Sequence, residues 1–573
     1  MGDVLSFLQG KWQEKMKKLP KEPIYPFGRI PIHEYLQNYA RKSPDKDFIL
    51  YYGRRISFKE INELSNGFAN FLISEGMKKG DRVALLLPNC PQFYIGYFGA
   101  LKAGCVAVLL NPLLKELDLE YFFEQARPKV IFALDQVFEF VKKALKSLSN
   151  PKTIFTSFTD FLPENPDLEP HESMLKEFSH EEQKFSDLKL DTKDPGVEVS
   201  IEDYATMNFT GGTTGMPKPV LHRHRSAIYK GACMLAYSNA NLYSGEDLES
   251  FLKIICENSV SLAVMPIFWI AGFDFGVVTP TIAGTTVVPL SRWSPKTAIS
   301  AIKLYKVTDT YMTFDMYWEM INLKPKPEDL RSLRNCTGSS FIRGLNKDLR
   351  AKWKEITGTI LREASYGLTE THTFDTITAG FQENDMDLEL AEKHGATFCG
   401  IPCPGTDILI VNDKGEACEV GESGEVVIRS PSLVDCYLGK PEETKKAFKN
   451  GWFFTGDIGM FDSNGFFYFI SRKKDLIKVS GISVYPTQIE FMLLKHPSVA
   501  MCAVVGVEDP EKGQVPVAFV KLRDKITEEE LLRWCREKMA PYNVPKKIIF
   551  KETLPMTATG KVIKEELRKE LNL

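Results

Sequence analysis

Short apolar runs alternate along most of the chain with segments whose apolar positions recur every three or four residues. Between residues 80 and 134 the runs "GDRVALLLPN", "ALKAGCVAVLLNP" and "ARPKVIFAL" are rich in Val, Leu and Ile and are bounded by Gly, Pro or Asn. Runs of that length predict buried strands, and the helix-like segments between them predict an α/β unit with largely parallel strands. The rhythm resumes at "SLAVMPIF", "GTTVVPL", "VTDTYMT" and "TILREASYGLTE", which predicts a second α/β unit. Past residue 400 it changes to strands joined by turns, in "DILIVNDKG", "GEVVIRS" and "NGFFYFISRKKD". The last hundred residues read as a compact α+β module, with "SVAMCAVVGVED" and "VPVAFVKL" as strands and "TEEELLRWCREKM" as a helix. The predicted fold class is α/β: two α/β sheet subdomains and a β-rich subdomain in a large N-terminal domain, followed by a small α+β domain. The charged stretch "SRKKD" (471–475), where few buried contacts are expected to cross, sets the expected domains at 1–473 and 474–573.

The totals narrow the partners. With 573 residues, 43% hydrophobic and 26% charged, the chain has the composition of an ordinary globular protein with sizeable cores. Lys and Arg number 72 against 75 Asp and Glu, and a net charge of −3 gives no reason to expect a nucleic-acid partner. No apolar run has the length of a membrane span. The start, "MGDVLSFLQGKWQEKMKKLP", spaces Val4, Leu5, Leu8 and Trp12 as a helix would, and lacks a signal-peptide core and cleavage site. Gly2 and Ser6 match the loose myristoylation pattern only weakly. The cysteines are scattered, only Cys399 and Cys403 lying close, so neither a zinc spacing nor a disulfide framework emerges and a reducing cytoplasm is expected.

One stretch stands apart from the packed pattern. "NFTGGTTGMPK" (208–218) has no large side chain between Phe209 and Met216, offers the hydroxyls of Thr210, Thr213 and Thr214, and ends on Lys218. Gly211, Gly212 and Gly215 permit backbone geometries and close approaches that a Cβ would block. The mixture suits a phosphate held by backbone N–H groups and hydroxyls; a turn before the helix-like "HRSAIYKGACMLAY" is the plain alternative. It is not the P-loop of common nucleotide kinases, because no Ser or Thr follows Lys218.

Taken with "YGLTE" (366–370), "FFTGD" (453–457), "SRKKDLIKVSGISVYPTQIE" (471–490) and "PMTATGK" (555–561), that stretch resembles the adenylate-forming superfamily of acyl-CoA synthetases, luciferases and nonribosomal adenylation domains. The resemblance runs from about residue 30 to the C-terminus. It implies an AMP-forming acyl-CoA synthetase that uses ATP, Mg2+ and coenzyme A. A carboxylate attacks the α-phosphate of ATP, pyrophosphate leaves, and a thiol then displaces AMP. Such chemistry needs positioning and charge neutralisation above all.

By the same resemblance, Thr210, Gly211, Gly212, Thr213, Thr214, Gly215 and Lys218 hold the β- and γ-phosphates. Tyr366, with Ser365 and Gly367 beside it, meets the adenine face, Thr369 the α-phosphate and Glu370 the Mg2+, with Thr213 a second metal contact. Gly338, Ser339 and Ser340 of "TGSSF" fall where relatives contact adenine, although many have Gly-Ala-Pro there. Asp457 accepts hydrogen bonds from the ribose hydroxyls, and Arg472 reaches the same sugar. Lys561 is the mobile cation that bridges substrate carboxylate and α-phosphate; its plain alternative is a solvated lysine. The C-terminal domain is expected to rotate about Lys474, bringing Gly481 in for thioester formation.

Candidate acyl-pocket residues are Trp269, Gly272, Phe314 and Gly367. Acetate-specific relatives carry a tryptophan where Gly367 stands, so this glycine is expected to leave room for a longer chain. Trp269 replaces a common histidine. Asp274 is out of register for binding a substrate ammonium, Ala271 falling there instead, which disfavours amino-acid substrates. The first expectation is a short-to-medium linear or hydroxylated monocarboxylate, and the second is a long-chain or aromatic acid. Departures from the common pattern are Gly211, Pro219, Ser471, Gln488 and Lys564. Transfer of the acyl group to a carrier protein and a catalytically silent nucleotide-binding regulator stay open as rivals, and a homodimer is allowed.

Overall fold

The computed structural model describes residues 2–145, 151–176, 178–210, 216–240, 243, 247–339, 344–480, 482–557 and 561–571. The glycine-loop residues Gly211, Gly212, Thr213, Thr214 and Gly215, together with Ser340 and Gly481, lie outside them.

Four sheets carry the chain, and the two α/β units interlock. The first sheet runs in the order Lys152–Thr156, Val130–Leu134, Arg82–Leu86, Val106–Leu109, Tyr204–Phe209 and Pro219–Arg223. All its pairs are parallel except the last. The second sheet runs Leu361–Glu363, Asn335–Ser339, Asp309–Thr313, Val260–Ala263, Thr286–Pro289, Asp47–Tyr51 and Arg54–Ser57. Its Ile49 pairs in parallel with Val287. The early strands therefore join the later sheet, and the strands flanking the glycine loop join the earlier one, an exchange that local periodicity does not reveal.

The apolar pattern explains what lies between the sheets. Helix Pro91–Lys102 and most of helix His224–Tyr237 are buried on every side, as expected of helices with apolar positions all round. Lys230, on the second of these, is among the buried residues.

The third sheet is antiparallel throughout and contains Thr397–Pro402, Phe467–Arg472, Trp452–Phe461, Ser423–Arg429 and Asp407–Val411. Helix Gly2–Lys15 docks on it: Leu8 and Trp12 are buried, and Trp12 Nε1 donates to the Gly465 carbonyl at 3.0 Å. Full burial of a leucine contributes about 1.5–3 kcal/mol. The chain leaves this sheet at Arg472, makes one turn at Lys473–Asp475 and enters the fourth sheet at Ile477–Val479. That sheet pairs Val499–Asp509 with Gly513–Leu522 over their whole lengths. Helix Glu528–Lys538 beside it begins with a capping box, Thr527 and Glu530 each bonding the other's backbone N–H. Contacts across the turn are mostly polar: Lys495 pairs with Glu392 at 2.8 Å, Ser423 meets Tyr485 at 3.2 Å, and Thr487 Oγ1 donates to the Ile470 carbonyl at 2.6 Å. Among the described residues, no helix is long and apolar enough to cross a membrane.

Candidate active site

Four of the motifs singled out in the sequence converge on one cleft. Strands Trp452–Phe461 and Phe467–Arg472 are antiparallel neighbours, and their register sets Asp457 opposite Arg472. Arg472 Nε lies 2.9 Å from Asp457 Oδ1, and the Tyr366 hydroxyl donates to Asp457 Oδ2 at 2.6 Å. Asp457 is 1% exposed. Burial pushes its carboxyl up from the ordinary value, while the guanidinium and the tyrosine hydroxyl oppose that shift. The Tyr366 ring lies between Phe467 and Phe469, at centroid distances of 5.0 and 6.1 Å.

Lys561 comes from the far side of the turn into the same cleft. Its Nζ stands 5.9 Å from the centroid of the Trp269 ring, at the outer reach of a cation–π contact. The residue as a whole keeps exposed surface. The surrounding walls and the nearby Arg472 guanidinium nevertheless bring its ammonium down to about 8, with Asp457 acting in the opposite direction.

The glycine loop is closed at its base by a strand pair. Phe209 is in register with Pro219, Thr210 N donates to the Lys218 carbonyl at 2.9 Å, and Lys218 N donates to Thr210 Oγ1 at 3.1 Å. Pro219 is the first residue of the edge strand, where a missing N–H is tolerated. Lys218 Nζ lies over the Tyr437 ring, 4.4 Å from its centroid.

"YGLTE" runs directly into an unusual loop. His372, Thr373 and Phe374 have φ of 61°, 52° and 47°, three successive side-chain-bearing residues in the left-handed region. Such a run persists only when its surroundings impose it. Here Lys230 Nζ bonds the Phe374 carbonyl at 3.1 Å and Asp375 Oδ1 at 2.6 Å, with both side chains fully buried. Asp375 Oδ2 also accepts from Thr371 Oγ1, and the Asp375 N–H donates to the Tyr366 carbonyl at 2.8 Å. His372 Nδ1 meets Asp274 at 2.9 Å. Burial drives that pair towards its neutral forms, Asp274 far up and His372 down to about 3. The sequence carried no sign of Lys230 or Asp375: neither lies in a recognised motif, and a lone lysine reads as surface.

Three of the four pocket candidates are closely hemmed by other atoms. A Cβ on Gly367 would stand 2.6 Å from Phe374 N and 2.7 Å from the Thr373 backbone. The left-handed loop therefore crowds the direction in which a side chain at 367 would start. A Cβ on Gly272 would lie 2.2 Å from the Pro266 carbonyl oxygen, so this position too faces backbone. Phe314 is fully buried in the core, its ring against Gly338. Trp269 and Gly367 are part-exposed, whereas Gly272 and Phe314 are buried. Ser339 ends its strand with Oγ 2.8 Å from the Tyr311 hydroxyl, and Ser365 is part-exposed next to Tyr366. Lys474 sits in the turn between the sheets, where burial brings its ammonium down to about 8. Asp274 is buried against His372, away from any role with a substrate amine.

Glu370 has the chemistry of a magnesium ligand. It is 8% exposed and, among the described residues, has no ion-pair partner within 4 Å. The Tyr437 hydroxyl donates to its Oε1 at 2.6 Å, and no donor to Oε2 is found among the described residues. A single carboxylate of this kind suits magnesium, which keeps much of its water and is completed by phosphate oxygens.

Comparison with known proteins establishes the family. Residues 36–438 match the AMP-binding enzyme family, and residues 488–561 match its C-terminal domain. The chain is 32% identical to a long-chain-fatty-acid–CoA ligase of Bacillus subtilis, over 95% of each chain. It is 28% identical to a feruloyl-CoA synthase of Amycolatopsis, over 92% of this chain and 97% of the other. An anthranilate CoA ligase, solved in complex with anthranoyl-AMP, superposes with a TM-score of 0.78 at 25% identity, covering 96% of this chain and 98% of the other.

Proposed function

We propose that this chain, which belongs to the AMP-binding enzyme family and is an AMP-forming acyl-CoA ligase, activates a long-chain fatty acid. The reaction uses ATP, Mg2+ and coenzyme A. In its first half a carboxylate oxygen bonds to the α-phosphorus of ATP as the bond to pyrophosphate breaks. In its second half the coenzyme A sulfur bonds to the acyl carbon, its proton is lost, and AMP leaves.

The convergence of Tyr366, Asp457, Arg472 and Lys561 supports this assignment of roles more than any other observation. Tyr366 lines the adenine site. Asp457 has about four lone-pair positions; the Tyr366 hydroxyl takes one at Oδ2, and Oδ1, 2.9 Å from Arg472 Nε, accepts no hydrogen bond among the described residues, which leaves room for the vicinal hydroxyls of ribose. Thr369 contacts the α-phosphate, and the base of the glycine loop at Thr210 and Lys218 faces the outer phosphates. Glu370 holds magnesium, which neutralises charge on the phosphate oxygens. Lys561 offsets the negative charge that accumulates between carboxylate and α-phosphate.

The same lysine would obstruct the thiol, so the second half-reaction requires it to leave. Rotation about Lys474 accomplishes this, and the boundary between residues 473 and 474 is the hinge. The polar contacts made by Lys495, Tyr485 and Thr487 favour such movement, because water can replace them at little cost.

One observation moves the preferred acid away from the short-to-medium range expected from the sequence. The Bacillus subtilis relative carries a long-chain name at 32% identity over 95% of each chain. An aromatic acid is the second reading, favoured by likeness to the feruloyl-CoA synthase and the anthranilate ligase. The deciding experiment is a screen of saturated acids from two to eighteen carbons, with ferulate and anthranilate, for AMP release dependent on free coenzyme A. The expected profile rises in kcat/KM towards the long acids. A maximum at acetate or butyrate overturns the substrate, and AMP release indifferent to coenzyme A overturns the acceptor. The cytoplasm is the compartment that suits these substrates.

A further inference from the structure

The segment 432–438 touches two motifs at once. On one side, Ser432 Oγ donates to the Thr371 carbonyl at 2.6 Å, Val434 N to the Glu370 carbonyl at 3.0 Å, and the Tyr437 hydroxyl to Glu370 Oε1 at 2.6 Å. On the other, Leu438 N donates to the Pro219 carbonyl at 2.9 Å, and Tyr437 forms an antiparallel bridge with Val220. Lys218 Nζ rests over the Tyr437 ring at 4.4 Å. One aromatic side chain thus joins the base of the glycine loop to the carboxylate of "YGLTE".

We propose that Tyr437 is a positioning residue for the magnesium carboxylate, fixing the rotation of Glu370 and registering it against Lys218. The inference rests on the reading of Glu370 as the metal ligand. A carboxylate free to turn about its last bond presents its lone pairs in many directions, and magnesium tolerates little departure from octahedral geometry. A hydroxyl donating to Oε1 removes that freedom and leaves Oε2 directed elsewhere. Tyr437 is 5% exposed. Groups that orient metal ligands in this way typically set metal affinity by about 10–100-fold. The cation–π contact adds a link between phosphate loop and metal, since displacement of Lys218 disturbs the ring that holds the carboxylate.

Tyr437→Phe tests the hydrogen bond while keeping the ring under Lys218. The measurement is Mn2+ binding to the full-length protein by electron paramagnetic resonance, in the presence of the α,β-methylene analogue of ATP. About 10–100-fold weaker Mn2+ binding is expected, with nucleotide affinity in the absence of metal unchanged. The apparent Mg2+ requirement for AMP release should rise in parallel, while KM for the fatty acid stays put. Wild-type Mn2+ affinity in Tyr437→Phe overturns the proposal. Glu370→Gln separates the two readings: if it weakens Mn2+ binding and Tyr437→Phe does not, only the positioning role falls. If neither variant alters Mn2+ binding, the ligand assignment itself falls. Should the phenylalanine variant melt early, Mn2+ binding is measured below its melting temperature, where circular dichroism shows it folded. Unaltered Mn2+ binding in that folded protein is equally fatal.

Discussion

Asp457 and Arg472 face each other across two antiparallel strands, with 2.9 Å between carboxylate oxygen and guanidinium nitrogen. The pair spans the last two strands before the chain turns into its terminal module, so the nucleotide site and the hinge share one β-hairpin. Replacement of Asp457 by Asn keeps the shape and removes the charge. Hydrogen bonds to charged groups contribute about 1.5–3 kcal/mol, which predicts a loss of about 10–150-fold in kcat/KM for ATP. The loss should be smaller when 2′-deoxy-ATP is the substrate, as steady-state kinetics with the two nucleotides would reveal. Equal losses would remove Asp457 from the ribose.

Lys561→Ala should slow adenylation by about 100-fold or more while leaving thioester formation from supplied acyl-AMP nearly intact. Single-turnover measurements of each half-reaction provide the check. Parallel losses in both would defeat the two-arrangement reading.

The lowered ammonium of Lys561 predicts a pH effect with a definite sign. Before substrates bind, Lys561 is charged below about 8 and progressively neutral above it. Because kcat/KM reports the free enzyme, its value for adenylation should fall as pH rises through about 8. In kcat the same limb should lie at higher pH, since bound phosphate retains the proton. A flat profile to pH 9.5 would exclude the charged lysine from the step.

Gly367→Ala places a methyl group against the backbone of Thr373 and Phe374. Overpacking of this kind costs about 1–3 kcal/mol. The expected result is a lower melting temperature and impaired turnover with every acid alike. A stable variant with an altered chain-length preference would restore the position to the acyl pocket.

Lys230→Met leaves Asp375 buried without its cation. Breaking a buried pair costs about 3–5 kcal/mol, and denaturant titration should register a loss of that order. A loss below 1 kcal/mol would mean that the left-handed loop is held by other contacts.

Much of the site could be read from the sequence because its chemistry resides in short motifs. Asp457 and Arg472 sit within "FFTGD" and "SRKKD", and strand pairing alone brings them together. The strands themselves were legible as apolar runs, their pairing partners less so. Nothing local in "DFILYYGRRIS" tells that Ile49 will lie beside Val287. Tyr437 and Lys230 were invisible for a related reason: their roles are contacts between distant segments, and an isolated tyrosine or lysine carries no mark of its neighbour. The backbone packed against Gly367 was equally illegible, because a missing side chain looks the same whether it opens a cavity or admits a backbone.

The exchange of strands between the two sheets has a consequence for biosynthesis. Strand Asp47–Tyr51 meets its parallel partner only when Thr286–Pro289 has been made, more than two hundred residues later. At about 5–20 residues per second, the ribosome needs on the order of 10–50 s to supply it. Throughout that interval the nascent N-terminal region lacks one side of its sheet, so the large domain completes its architecture late and as a unit.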